Sequence, residues 1–111
     1  IHQENLIKML RKYVPAKNEG VGARDALISF VDAHADCFER SLKIGHVTSS
    51  AWLLSNDLTK VLLMHHAKLN MWVQLGGHCD GDPDVLAVAI KEAKEESGIQ
   101  SIVPATGDIF D

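Results

Sequence analysis

Residues 76–99 read GGHCDGDPDVLAVAIKEAKEESGI: two glycines, an aspartate-rich turn and a helix-forming run that stops at Ser97-Gly98. Asp82 is expected to cap the helix start, Pro83 suits its first turn, and Gly98 supplies the stop. At 100° per residue, Leu86, Ala89, Ile90 and Ala93 share one face and should rest on a sheet. Glu92, Glu95 and Glu96 stand at i, i+3 and i+4, so their side chains leave a neighbouring face with Cβ atoms roughly 5–6 Å apart. Like charges at that spacing cost a few tenths of a kcal/mol per pair on an exposed helix. A hard divalent cation turns that repulsion into binding, and Mg²⁺ takes oxygen ligands while keeping water or substrate phosphate in its shell. Taken alone, KEAKEE reads as solvated surface partly neutralised by Lys91 and Lys94, so the decision rests on what surrounds it.

Upstream, MWVQL (71–75) reads as a short strand running into Gly76 and Gly77, whose missing Cβ permits a tight turn or close approach of a ligand. HVTSSAWLL (46–54) and KVLLMHHA (60–67) are rich in apolar and β-branched residues. SNDLT between them has turn chemistry, so the pair is expected as an antiparallel hairpin. Further upstream, Leu6, Leu10, Tyr13 and Val14 recur at helical spacing up to Pro15. After the loop PAKNEGVG (15–22), Ala26, Leu27, Phe30, Val31, His34 and Phe38 predict a second amphipathic helix through about Glu39. Downstream, IQSIVPATGDIF (99–110) resumes strand-like composition, broken at Pro104 and Gly107. The first residue is not methionine, and Ile109-Phe110 read as the opening of an uncompleted strand, so the chain is expected to be a piece of a longer protein.

The 111 residues suit one core-forming domain, with 46% hydrophobic content. No apolar run approaches the roughly 20 residues that span a bilayer, and the opening IHQENLIKMLRKYV carries charges where a secretory signal would need an apolar centre. The two cysteines, Cys37 and Cys79, are expected as free thiols in a reducing, cytoplasmic setting. A net charge of −4 argues against membrane or broad nucleic-acid adhesion, and any phosphorylated small-molecule partner would need a bridging cation. A homodimer is compatible with this composition.

Strand, double glycine and acidic helix together resemble the Nudix box. In that pattern a glycine is followed after five residues by Glu, then after seven more by Arg-Glu-aliphatic-x-Glu-Glu-x-Gly-aliphatic. Gly98 falls on the late glycine, Glu95 and Glu96 on the paired acids, Ala93 on the apolar position, Glu92 on the preceding acid and Gly77 on the first glycine. Lys91 stands where the family has Arg, and Pro83 where it has the first Glu, with Asp82 one residue early. Lysine keeps the charge but loses the planar fork.

The resemblance covers about residues 45–110 and implies a Nudix-type α/β/α sandwich with a mixed sheet at 45–111, incomplete at its C-terminal side. A helical N-terminal extension at 1–44 precedes it. It further implies a MutT-like hydrolase that cleaves the phosphoanhydride of a nucleoside diphosphate linked to another moiety. Glu92, Glu95 and Glu96 would bind Mg²⁺ or Mn²⁺, with a Gly77 or Gly76 carbonyl completing the shell, and Glu95 or Glu96 would act as general base. His78 is a candidate substrate contact. The alternative is a Nudix-fold nucleotide-binding or regulatory module that no longer turns over, given the departures at Pro83 and Lys91.

Two other site readings fail on spacing. DGDPD (80–84) lacks the glycine and glutamate that a calcium loop needs at its sixth and twelfth places, which here hold Val85 and Lys91. His65, His66, His78 and Cys79 do not have the ligand spacing of zinc modules. Trp52 and Trp72 are expected in the core, since no basic stripe interleaves them.

Overall fold

A computed structural model describes residues 3–110. The decisive stretch folds as strand, turn and helix. Strand β6 covers Leu75–His78, helix α3 covers Val85–Ser97, and β6 pairs antiparallel with β1 (Thr48–Ala51) in the register Ser49↔Gly77 and Ala51↔Leu75. The α3 stop is as expected: Gly98 is left-handed at φ 76°, and its N–H donates to Lys94 O at 3.0 Å. Its start is shifted. Asp84 is the cap, with Oδ1 accepting the Ala87 N–H at 3.1 Å, whereas Asp82 Oδ1 accepts the Asp84 N–H at 2.9 Å. A capping oxygen must reach the second or third helical N–H. With Val85 as the first helical residue, only Asp84 does so, and Pro83 lies outside the helix.

Four more short strands complete the β structure: β2 (Leu53–Leu54), β3 (Val61–Leu62), β4 (Met64–His66) and β5 (Met71–Val73). The expected hairpin is present only at its tip, where β2 pairs antiparallel with β3. There Asp57 Oδ1 accepts bonds from Ser55 Oγ at 2.7 Å, Thr59 Oγ1 at 2.7 Å and Thr59 N–H at 3.1 Å. Beyond the tip the partners change, since β4 pairs with β5 and β1 with β6. The three runs 48–54, 61–66 and 71–78 thus each pair with both others, over different residues. All described pairings are antiparallel, in place of the expected mixed sheet. Short turns join β2 to β3 and β4 to β5, which dictates antiparallel pairing there, whereas β1 and β6 are joined through all four of those strands.

Strand alternation sets which side α3 covers. Leu75 is buried, and Ser49 Oγ donates to Val85 O at 2.6 Å, so the odd-numbered positions of β1 and β6 meet the helix. Val88 and Ala93 of α3 are buried, with Leu86, Ala89 and Ile90 partly so. Trp52 and Trp72 lie on the surface at 44% and 66% exposure, contrary to their expected core role. Neither side chain has a helix packed over it in the way α3 covers Leu75.

Helix α1 (Glu4–Lys12) buries Leu6, Ile7 and Leu10. It ends before Val14, which precedes Pro15 and is 81% exposed, because a residue before proline is pushed out of the helical region. Helix α2 runs Asn18–Ala33. It begins inside the expected loop and stops short of Glu39; of the expected apolar face Val31 is fully buried within the helix and Phe38 beyond its end. Cys37 and Phe38 enter the core from the turns that follow. The buried cluster joins Leu6, Ile7, Leu10, Val31, Cys37 and Phe38 to Val47, Cys79 and Val88, so one core draws on both sides of residue 45. No strand forms over 99–110. Instead Ile109 packs on the core and Asp108 meets Lys12 at 2.9 Å. The described chain is therefore a compact mixed α/β domain of three helices and small antiparallel sheets, and none of those helices is long and apolar enough to cross a membrane.

Candidate functional site

Gly76 and Gly77 lie within strand β6 rather than in a turn, and their value is close approach. A Cβ on Gly77 would stand 2.8 Å from Cδ of Glu92 and 3.0 Å from each of its carboxylate oxygens. Glu92 therefore lies flat on the strand backbone where any side chain would displace it. One helical turn on, Glu96 Oε1 accepts the Gly76 N–H at 2.8 Å. The (i, i+4) relation along α3 thus meets two consecutive residues of β6, and two carboxylates reach one short piece of extended backbone.

Glu95 does not join them. It is exposed, and its Oε1 is 3.8 Å from Lys91 Nζ, a loose surface pair of the kind that contributes about 0–1 kcal/mol. Among the described residues no three His, Cys, Asp or Glu side chains stand close enough to hold a metal ion between them. Mg²⁺ does not need three, since it is usually held by one or two carboxylates together with substrate phosphates. Glu92 and Glu96, hard oxygen donors placed side by side over a glycine cradle, fit that requirement.

His78 follows Gly77, so its side chain leaves the opposite face of the strand. Its Nδ1 lies 3.0 Å from His46 Nε2, one ring donating and the other accepting. His65 Nε2 is 3.2 Å from Asn70 Oδ1, and His66 Nδ1 accepts the Leu69 N–H at 3.2 Å, so these two histidines serve the turn between β4 and β5 rather than joining His46 and His78. Cys79 and Cys37 are buried free thiols. Burial, reinforced by the charges of Asp82 and Asp80, pushes the Cys79 thiol up to about 11; burial likewise raises Cys37.

Between β6 and α3 the chain turns through two left-handed residues, Asp80 at φ 48° and Gly81 at φ 90°. The Arg40 guanidinium grips the Asp80 carboxylate with both arms, Nε to Oδ1 and Nη2 to Oδ2 at 2.9 Å each, and holds that carboxyl below its ordinary range. The Gly81 N–H donates to Phe38 O at 3.0 Å. Arg40, Ser49 and His46 were not legible as neighbours of this region, because 30 to 40 residues separate them from their partners and no short motif links them. Two surface grooves of about 340 and 380 Å³ lie elsewhere, one beside Arg11, Arg24 and Ile28, the other beside Tyr13 and Phe110. Neither is lined by a residue of α3 or β6. No protein-family model matches the chain, and none of the curated proteins matches it.

Proposed function

We propose that the chain is a Nudix-type, cation-dependent pyrophosphohydrolase acting on a nucleoside diphosphate linked to another group. The observation that carries this reading is the convergence of Glu92 and Glu96 on Gly77 and Gly76. Two carboxylates one helical turn apart, half-buried Glu92 against Gly77 and exposed Glu96 bonded to the Gly76 N–H, bring hard oxygen donors to one piece of strand, which supports an oxygen-rich cation site. Mg²⁺ or Mn²⁺ bound there supplies charge neutralisation for the diphosphate. Glu92 and Glu96 would hold it, with Glu95 recruited from its loose contact to Lys91 and the Gly77 carbonyl as a further oxygen donor.

Water attack forms one new P–O bond while the bridging P–O bond breaks. The leaving phosphate departs with the electron pair, and the water proton passes to a carboxylate. Glu95 or Glu96 takes that proton in this reading. Glu95, exposed on α3, is free to turn toward substrate, whereas Glu96 already holds the Gly76 N–H. The α/β/α sandwich belongs to the same proposal, with α3 as one layer and the exposed Trp52 and Trp72 as surface for the other. Buried, unpaired Cys37 and Cys79 accord with a reducing, cytoplasmic setting.

A second reading, a nucleotide-binding module without turnover, has its own support in the pairing of Glu95 with Lys91. Phosphate release across nucleotide sugars, dinucleotides and nucleoside triphosphates, with Mg²⁺ or Mn²⁺, separates the two. Cation-dependent release from one substrate class supports the enzyme. No release from any, with nucleotide binding that survives Glu95→Gln and Glu96→Gln, supports the binding module instead.

A further inference from the structure

We infer that Arg40, from the segment preceding the sheet, is the positioning residue for the α3 carboxylates, a role that deepens the function proposed above and rests on it. The bearing of α3 on β6 is set at one end by the turn 79–84. That turn contains a non-glycine residue in the left-handed region, Asp80 at φ 48°. Such a conformation costs of order 1–3 kcal/mol and persists only where its surroundings impose it.

The surroundings here come from residues 37–40. Cys37 and Phe38 are fully buried, which fixes that segment in the core. From this anchor Phe38 O takes the Gly81 N–H at 3.0 Å, Glu39 Oε1 lies 2.6 Å from where a Gly81 Cβ would stand, and Arg40 grips Asp80 with two bonds of 2.9 Å. The fork matters as much as the charge. Two parallel N–H···O bonds fix the plane of the Asp80 carboxylate and with it the local backbone, which a point charge does not do. Lys91, within α3, makes a loose contact with Glu95 at 3.8 Å and acts on Asp80 through its charge, and Asp82 Oδ1 takes the Asp84 N–H at 2.9 Å, so the side-chain fork on Asp80 itself comes from Arg40. The turn is therefore clamped from the N-terminal segment, and the helical region before residue 45 is part of the site's framework.

Amide exchange of the full chain, followed by NMR on Arg40→Ala, Arg40→Lys and Asp80→Gly, tests this. Glycine suits φ 48°, so Asp80→Gly removes the fork while relieving backbone strain, and its melting temperature should match the parent. Expected is exchange at least about tenfold faster at Gly81 and Gly76 in both Arg40→Ala and Asp80→Gly, with the Tyr13 amide of α1 unchanged. Arg40→Lys should fall between them and the parent. Unchanged protection at Gly76 in both variants, or a parallel loss at Tyr13, overturns the inference. Mn²⁺ broadening of Gly76 and Gly77 in the parent reads the proposed cation site separately. Its absence would sink the enzyme reading without altering the exchange result.

Discussion

Glu96 accepts the backbone N–H of Gly76 at 2.8 Å, across 20 residues of chain, and so pins the last turn of α3 to strand β6. Glu92 lies one turn earlier against Gly77. The spacing of the acids along the helix and the adjacency of the glycines along the strand act together, and several outcomes can be measured.

Glu96→Gln keeps an acceptor for the Gly76 N–H but removes the charge. Thermal unfolding should move by less than about 1 kcal/mol, while cation affinity and turnover fall by at least about tenfold. Calorimetric Mn²⁺ titration beside a melting curve reads both, and equal loss of stability and binding would argue against a cation role.

Gly77→Ala and Gly76→Ala should separate site from scaffold. The methyl at Gly77 meets the far end of Glu92, which swings away, so folding survives and cation binding weakens. At Gly76 it meets Ser49 O at 2.6 Å and the Ser50 backbone at 2.7 Å, which cannot swing, so about 1–3 kcal/mol of stability is lost. Urea unfolding midpoints distinguish the two.

Asp84→Ala should destabilise by about 1 kcal/mol through loss of the α3 cap, and Asp82→Ala by less. The reverse order would restore the cap to Asp82.

The turn that joins β2 and β3 should loosen in acid. Hydrogen bonds from the Thr59 and Ser55 hydroxyls and the Thr59 N–H hold Asp57 at about 2, below its unfolded 3.8. A depressed carboxylate contributes stability that is present above 3.8 and is lost as pH falls toward about 2. NMR titration of the Thr59 amide should report that midpoint, and Asp57→Asn should abolish it.

Cys79 has the opposite sign. Its raised value means stability present below pH 9.0 and lost as pH climbs through about 11. In the native state it should resist a thiol reagent at pH 8 and react on unfolding. Rapid native labelling would contradict its burial.

The helical run of α3 with its Gly98 stop, Leu6 and Leu10 of α1 and the turn at Asp57 were legible, because each depends on residues within a few positions of one another. The α3 face was legible in part, with Ala93 buried as expected but Val88 buried ahead of Leu86, Ala89 and Ile90. The reading failed where a distant partner decided. Trp52 and Trp72 suggested core by type, yet Trp52 stands between β1 and β2 and Trp72 in β5, which pairs with β4, whereas α3 packs on β1 and β6. KVLLMHHA looked like one strand, but its halves pair with different runs. Gly76 and Gly77 looked like a turn, whereas the turn falls at Asp80 and Gly81.

What the sequence determined by itself was the acidic helix and its chemistry: three glutamates on one face, an apolar face beside them, and glycines ahead of them. The tertiary structure decided which glutamates reach those glycines and that Arg40 holds the intervening turn. Helical spacing is a local property of 3.6 residues per turn. Contact across a sheet or from a distant loop depends on how the whole core closes, and short-range pattern does not carry it.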